Sequence, residues 1–337
     1  MPTLILSEQD VRDLLPMREC IDVMADALTS VAEGTAVLPL RTVLRMAGTQ
    51  NGFVAMPAIV GAGSAASIGA KVITVFPGND ATPFDSHIGV VLLFDAEFGS
   101  LLAIADASSI TAIRTAAVSG LATRILARDD ASVLAVLGAG VLALPHVEAM
   151  CAVRPIRALR LWSRSGTAPE SRAGRVAAKA RELFGLDVEV CETVDGAVQG
   201  ADVVCTITAS HTPVLEGRSI EKGTHVNAVG AYMRDTRELD SAAVAMSRVF
   251  ADRRESLLAE AGDFLIPLAE GVITEGHLLG ELGELVTGRI VGRQHEDDVT
   301  LFKSLGLAVE DVAAVRHLHT RARAAGRGVE LELGGRR

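Results

Sequence analysis

Apolar residues recur along the chain with two different periods. Between residues 17 and 33 they fall at Ile21, Met24, Leu28 and Val31, one face of an α-helix. Ser7 stands where it caps a short helix over residues 8–15. Strand-like runs follow at 41–46, 52–56, 67–76 and 89–95, and turn sequences at 48–52, 77–80 and 95–99 separate them. An Ala-rich helical stretch occupies 109–127. The first third therefore reads as a strand-rich α+β segment.

From Ser132 the rhythm changes. Apolar runs at 132–137, 158–162, 188–191, 203–207, 225–229 and 248–251 alternate with helical or loop stretches. Such alternation predicts parallel strands joined by crossover helices, and unbroken apolar runs predict strands covered on both faces. After about residue 300 the pattern returns to helix, with Val309, Val312, Val315 and Leu318 on one face of 307–325. The Gly/Arg-rich tail 327–337 reads as loose.

Composition narrows the class. The chain has 337 residues, is 49% hydrophobic and carries a net charge of −10. That length fits two domains or one large one, and the hydrophobicity excludes a disordered chain. An acidic chain with no Lys/Arg block and a single Trp and Tyr is unsuited to a nucleic-acid surface. Cys20, Cys151, Cys191 and Cys205 are scattered, which predicts neither a disulfide scaffold nor a zinc site, and no His/carboxylate spacing predicts another metal. No signal peptide or bilayer-spanning run is evident, so a cytoplasmic protein with no membrane partner is expected.

The sharpest local motif is Gly138-Ala139-Gly140-Val141-Leu142-Ala143, placed after an apolar run and at the start of a helix. This is the context of a dinucleotide-binding loop. Gly138 permits the tight turn, Gly140 lets a pyrophosphate approach, and Ala143 keeps the helix close to the sheet. The next strand ends in Ser163-Arg164-Ser165 rather than in the acid that holds an NAD ribose. A guanidinium and two hydroxyls suit a 2′-phosphate, so NADP is expected, with NAD as the alternative.

Three cations stand in apolar surroundings: Arg41 at the start of a strand, Lys71 within one and Arg114 near the start of a helix. Each alone can reach water or pair with a structural acid. Together they fit an anionic ligand such as a carboxylate. Among the histidines, His87 reads as a loop residue, His146 as a packed one, and His317 and His319 as exposed.

On these motifs the chain resembles the ornithine cyclodeaminase/mu-crystallin family over almost its whole length. The matching segments include LPLRTVL (38–44), GAKVITVFPGN (69–79), residues 91–127, VLGAGVLA (136–143), LWSRS (161–165), GADVVCTITAS (200–210), HVNAVGA (225–231), RELD (237–240) and FKSLGLAVED (302–311). The resemblance implies a Rossmann dinucleotide-binding domain over 116–304. It is inserted in an α+β substrate-binding and dimerisation domain made of 1–115 and 305–337, and the protein is expected to be a homodimer. It implies a small imino or amino acid substrate, with its carboxylate on Arg41, Lys71 and Arg114. Nucleotide contacts are implied at Ser86, Arg114, Thr115, Gly138, Ala139, Gly140, Val141, Leu142, Ser163, Arg164, Ser165, Thr206, Val229, Gly230, Ala231 and Ser304. Cyclodeaminases of the family carry an Asp where this chain has Tyr232, and a Lys where it has Thr236. The implied activity is therefore NAD(P)H-dependent reduction of an imine carboxylate in amino-acid metabolism, with Lys71 or Tyr232 supplying the proton. The rival expectations are an ammonia lyase and a non-catalytic NADPH-dependent binding protein. Asp235, three residues beyond Tyr232, reads equally as a helix cap.

Overall fold

A computed structural model describes residues 2–334. The chain divides into two compact units, Met1–Arg114 with Gly306–Arg337, and Thr115–Leu305. The helix Ala107–Leu126 begins in the first and ends in the second.

The first unit is built on one mixed sheet. Its strands are β1 (Thr3–Leu6), β2 (Thr42–Arg45), β3 (Gly52–Val60), β4 (Ser67–Val75), β5 (His87–Phe94), β6 (Leu101–Asp106) and the C-terminal strand Val329–Leu331. The spatial order is C-terminal strand, β1, β6, β5, β4, β3, β2. Strands β2 to β6 form an antiparallel meander, and β1 joins β6 in parallel.

The helix Ala308–Ala325 packs across β3, β4 and β5. Its predicted face is fully buried: Val309, Val312, Val315 and Leu318 are all 0% exposed. Gly69 on β4 permits the close approach, because a Cβ there would lie 3.0 Å from Val312 Cγ2 and 2.4 Å from the Leu92 carbonyl oxygen. Alternation along the strands puts Val54, Met56, Lys71, Ile73, Val91 and Leu93 in the buried set. The intervening positions, including Phe53, Ala55, Val72, Ile88 and Val90, are apolar yet half-buried or exposed.

The second unit holds an all-parallel sheet: β7 (Val133–Leu137), β8 (Ala158–Trp162), β9 (Asp187–Val190), β10 (Val203–Thr206), β11 (His225–Ala228), β12 (Arg248–Ala251), β13 (Leu278–Glu281) and β14 (Thr300–Lys303). The order is β13-β12-β14-β11-β10-β7-β8-β9. The order reverses between β7 and β10, which makes their C-terminal ends a topological switch point. Strands β10 and β11 are buried at every position, as continuous apolar runs predict. The second unit is thus Rossmann-type α/β and the first α+β.

Several expectations need correction. Val329–Leu331 is a strand paired antiparallel with β1, so this part of the tail is not loose; residues 335–337 lie outside the described residues. Three residues are too few for a periodicity to register, and only the pairing creates the strand. Strands β1, β6, β13 and β14 were likewise unmarked: β1 has four residues, and Lys303 breaks the apolar pattern of β14. His87 opens β5 rather than lying in a loop. His317 and His319 are half-buried rather than exposed, and His317 meets Glu19 at 3.1 Å. Asp235 sits in an exposed turn; Asp240 is the residue that caps a helix. His146 is packed as expected, 3.1 Å from Ser119 Oγ, with burial pulling its pKa down to about 4.

Candidate active site

In the first unit a buried charge cluster lies between the sheet and the helix Ala308–Ala325. Lys71, on β4, projects from the buried face, and its Nζ is 2.9 Å from Asp311 Oδ2. Arg114, on Ala107–Leu126, puts Nε 3.0 Å from Asp311 Oδ1 and Nη1 2.7 Å from Glu310 Oε2. Asp311 therefore bridges the two cations through separate oxygens. All four side chains are 5% exposed or less. Burying an ion costs several kcal/mol, roughly, unless its partners replace water, and each of these has a partner of opposite sign.

Arg41 is half-buried, and its Nη2 donates to the Gly306 carbonyl at 3.2 Å. Gly306 lies directly against the Arg114 guanidinium. Counting Arg41, the cluster has three cations and two carboxylates. Burial, and then the nearby Arg114 charge, pull Lys71 down from 10.5 to about 8, while Asp311 opposes the shift. His87 is likewise held below its ordinary value by burial and by Lys71, which keeps it neutral near neutral pH. Ser86 Oγ is 2.9 Å from His87 Nδ1.

In the second unit most of the remaining predicted residues lie at the C-terminal ends of β7, β8, β10 and β11, while Ser304 follows β14 and Thr115 is on the helix Ala107–Leu126. Gly138 has φ +124°, and a Cβ there would meet the Ile207 carbonyl oxygen at 2.9 Å, so only glycine fits. Its N–H donates to the Trp162 carbonyl at 2.8 Å, tying the loop to the end of β8. Nothing lies within 4 Å of a Cβ placed on Gly140, and Val141 is 72% exposed, so the loop is open to a ligand. The helix Ala143–Val153 that follows has no side-chain cap, and the positive end of its dipole adjoins this loop. These features fit a dinucleotide pyrophosphate.

Ser163 Oγ donates to Ser165 Oγ at 3.1 Å, and Arg164 is exposed beside them. Thr206 and Ser304 are buried; Thr206 donates to Glu238, and the Ser304 N–H donates to Ala228 at 3.0 Å. Thr115 is buried as well. Tyr232 is partly buried, packed against the apolar core of this unit.

Sequence reasoning missed Glu310 and Asp311 as members of the site. Their signal was present: two adjacent acids inside the apolar run 305–315. Read alone, they are ordinary first-turn helix acids. Among the described residues no group of three or more His, Cys, Asp and Glu side chains is placed to hold a metal, and no helix is long and apolar enough to cross a membrane.

The fold and these sites define a dinucleotide-binding-type α/β protein whose first, α+β unit buries a cluster of cations and carboxylates. The ornithine cyclodeaminase/mu-crystallin family model matches residues 1–326, and the chain belongs to that family. It is 36% identical over 331 residues to a Delta(1)-pyrroline-2-carboxylate reductase of Bacillus cereus, covering 98% of this chain and 100% of the relative. It is 38% identical over 315 residues to the mouse (Mus musculus) ketimine reductase mu-crystallin, covering 92% and 95%. Among solved structures, the Thermococcus litoralis Delta(1)-pyrroline-2-carboxylate reductase in complex with NADH and L-proline superposes with a TM-score of 0.92 at 35% identity, covering 97% of this chain and 99% of that one.

Proposed function

We propose that this protein is a nicotinamide-dinucleotide-dependent imine reductase that converts an imino acid, of the pyrroline-2-carboxylate or related ketimine class, to the amino acid. The observation that carries the reading is the buried Lys71–Asp311–Arg114 cluster. It combines a cation set for a carboxylate with an amine whose pKa is about 8. The relatives' names point to the same reaction class.

The chemistry follows from the residues. Arg41 and Arg114 hold the substrate carboxylate and so fix the C=N carbon beside it; such positioning supplies much of the rate of a bimolecular step. Three cations against two carboxylates leave one positive charge in the cluster for that carboxylate. Lys71 donates the proton to the imine nitrogen, which makes the adjacent carbon a stronger hydride acceptor. An acid with a pKa near the working pH is suited to this task. We assign the proton to Lys71 rather than Tyr232, because Lys71 sits within the cation cluster and its pKa is already lowered toward neutrality. The dinucleotide, when bound, supplies the hydride.

The second unit, with its glycine loop, is the part assigned to the dinucleotide, and the first unit to the substrate. Arg164, with Ser163 and Ser165, supports NADP over NAD. A homodimer is supported by the apolar face of the β2–β5 sheet turned away from the helix, where Phe53 and Ile88 are 41% and 42% exposed. The test is loss of reduced-nicotinamide absorbance with NADPH and with NADH. The substrate panel holds pyrroline-2-carboxylate, piperideine-2-carboxylate, and keto acids with ammonia or methylamine. Turnover with any member supports the reading; silence across the panel, with dinucleotide still bound, overturns it.

A further inference from the structure

Glu238 is fully buried. Its Oε2 accepts from Thr206 Oγ1 at 3.0 Å, Gly230 N at 2.6 Å and Ala231 N at 3.2 Å. Its Oε1 accepts from Thr208 N at 2.6 Å. The donors belong to two turns, one leaving β10 and one leaving β11.

The backbone that carries Glu238 is itself held. The N–H groups of Glu238 and Leu239 donate to Asp263 Oδ1 at 2.7 and 3.0 Å. Asp263 Oδ2 pairs with Lys303 Nζ at 2.9 Å. Lys303, at the end of β14, donates to the carbonyls of Ala228 at 3.2 Å and Ala231 at 2.6 Å. The circuit closes on the turn where it began. It locks together the C-terminal ends of β10, β11 and β14, three neighbouring strands beside the switch point.

Two features argue that this circuit serves more than packing. Burying three charged groups is a costly way to stiffen a turn, since apolar side chains of similar volume do so without desolvation. Its target is also specific: every atom Glu238 holds lies at the crevice where sheets of this kind bind their ligands.

We propose that Glu238 is a positioning residue for the dinucleotide, setting the turns 206–208 and 229–231 in their binding arrangement before the ligand arrives. The proposal rests on the cofactor reading above. Its physical basis is preorganisation: turns already fixed need no ordering at the moment of binding. Glu238→Gln keeps the shape but turns an NH2 toward N–H groups that need an acceptor, so at least one turn loses its anchor.

The test measures dinucleotide dissociation constants for wild type and Glu238→Gln. The fluorescence of Trp162, the chain's only Trp, reports binding from the end of β8. The expected result is an increase of about tenfold or more for Glu238→Gln, with the imine KM within about twofold of wild type. An unchanged dissociation constant in a variant with wild-type circular dichroism overturns the proposal. A second measurement needs no variant. Hydrogen exchange on the wild type should find the amides of 208, 230 and 231 protected without ligand and little changed by NADH or NADPH. A large gain of protection on adding dinucleotide would show that the ligand orders these turns, and would overturn the role given to Glu238. If the wild type binds neither dinucleotide, the cofactor reading fails and the proposal with it; if the wild type binds and Glu238→Gln binds equally, only the assignment of Glu238 fails.

Discussion

The Nζ of Lys71 lies 2.9 Å from Oδ2 of Asp311, with 3% and 0% of the two side chains exposed. Asp311 also takes Arg114 on its other oxygen, so one carboxylate orients both the amine and the guanidinium. If Lys71 donates the catalytic proton, Lys71→Ala lowers kcat by roughly a hundredfold or more. Turnover within a few-fold of wild type, in a folded variant, removes Lys71 from the mechanism. The loss should exceed that of Tyr232→Phe measured under the same conditions.

The pH profile gives an independent check. Lys71 is protonated below about 8 and loses its proton above it. Acting as an acid in the reductive direction, it makes kcat/KM fall as pH rises through about 8. Asp311 is among the groups that raise this pKa, so Asp311→Asn should move the fall to lower pH. A profile that stays put in Asp311→Asn assigns the titration to another group.

The two guanidinium groups should separate stability from binding. Arg114→Leu removes the ion pair with Glu310 and one of the two cations held by Asp311, a loss of roughly 3–5 kcal/mol by urea unfolding. Arg114→Leu combined with Glu310→Leu should recover part of it. Arg41 is half-buried, so Arg41→Met should raise the imine KM about tenfold or more while the melting temperature changes little. Equal KM values would show that Arg41 does not bind the carboxylate.

Cofactor choice is testable at one exposed position. Arg164→Ala should raise the KM for NADPH about tenfold and leave that for NADH nearly unchanged, because only the 2′-phosphate needs the guanidinium. A parallel change in both would place the 2′-phosphate elsewhere.

The sheet face gives the last prediction. Light scattering of the wild type should return the mass of two chains. Phe53→Glu, which puts a charge on the outward face of β3, should return the mass of one. A wild type that is already monomeric refutes the use of this face.

The sequence by itself determined the elements whose hydrophobic period runs long enough to register. These include the helices over 17–32 and 308–325, the alternating strands of the second unit and the Gly138–Ala143 loop. Such features are local: a helix face, a buried strand and a tight glycine turn each need only neighbouring residues to specify them. It also marked Arg41, Lys71 and Arg114, because a cation in an apolar run is conspicuous wherever it occurs. Their partners were another matter. Glu310 and Asp311, taken alone, are first-turn acids, Glu238 stands out only within the RELD segment, and Lys303 interrupts an apolar run. Only the tertiary structure brought Glu310, Asp311 and Lys303 against their counter-charges and Glu238 against its N–H and hydroxyl donors, because a buried ion is made tolerable by groups distant along the chain. The short strands β1 and Val329–Leu331 were decided in the same way: each is too brief to declare itself, and each exists through its ladders, β1 with β6 and with Val329–Leu331.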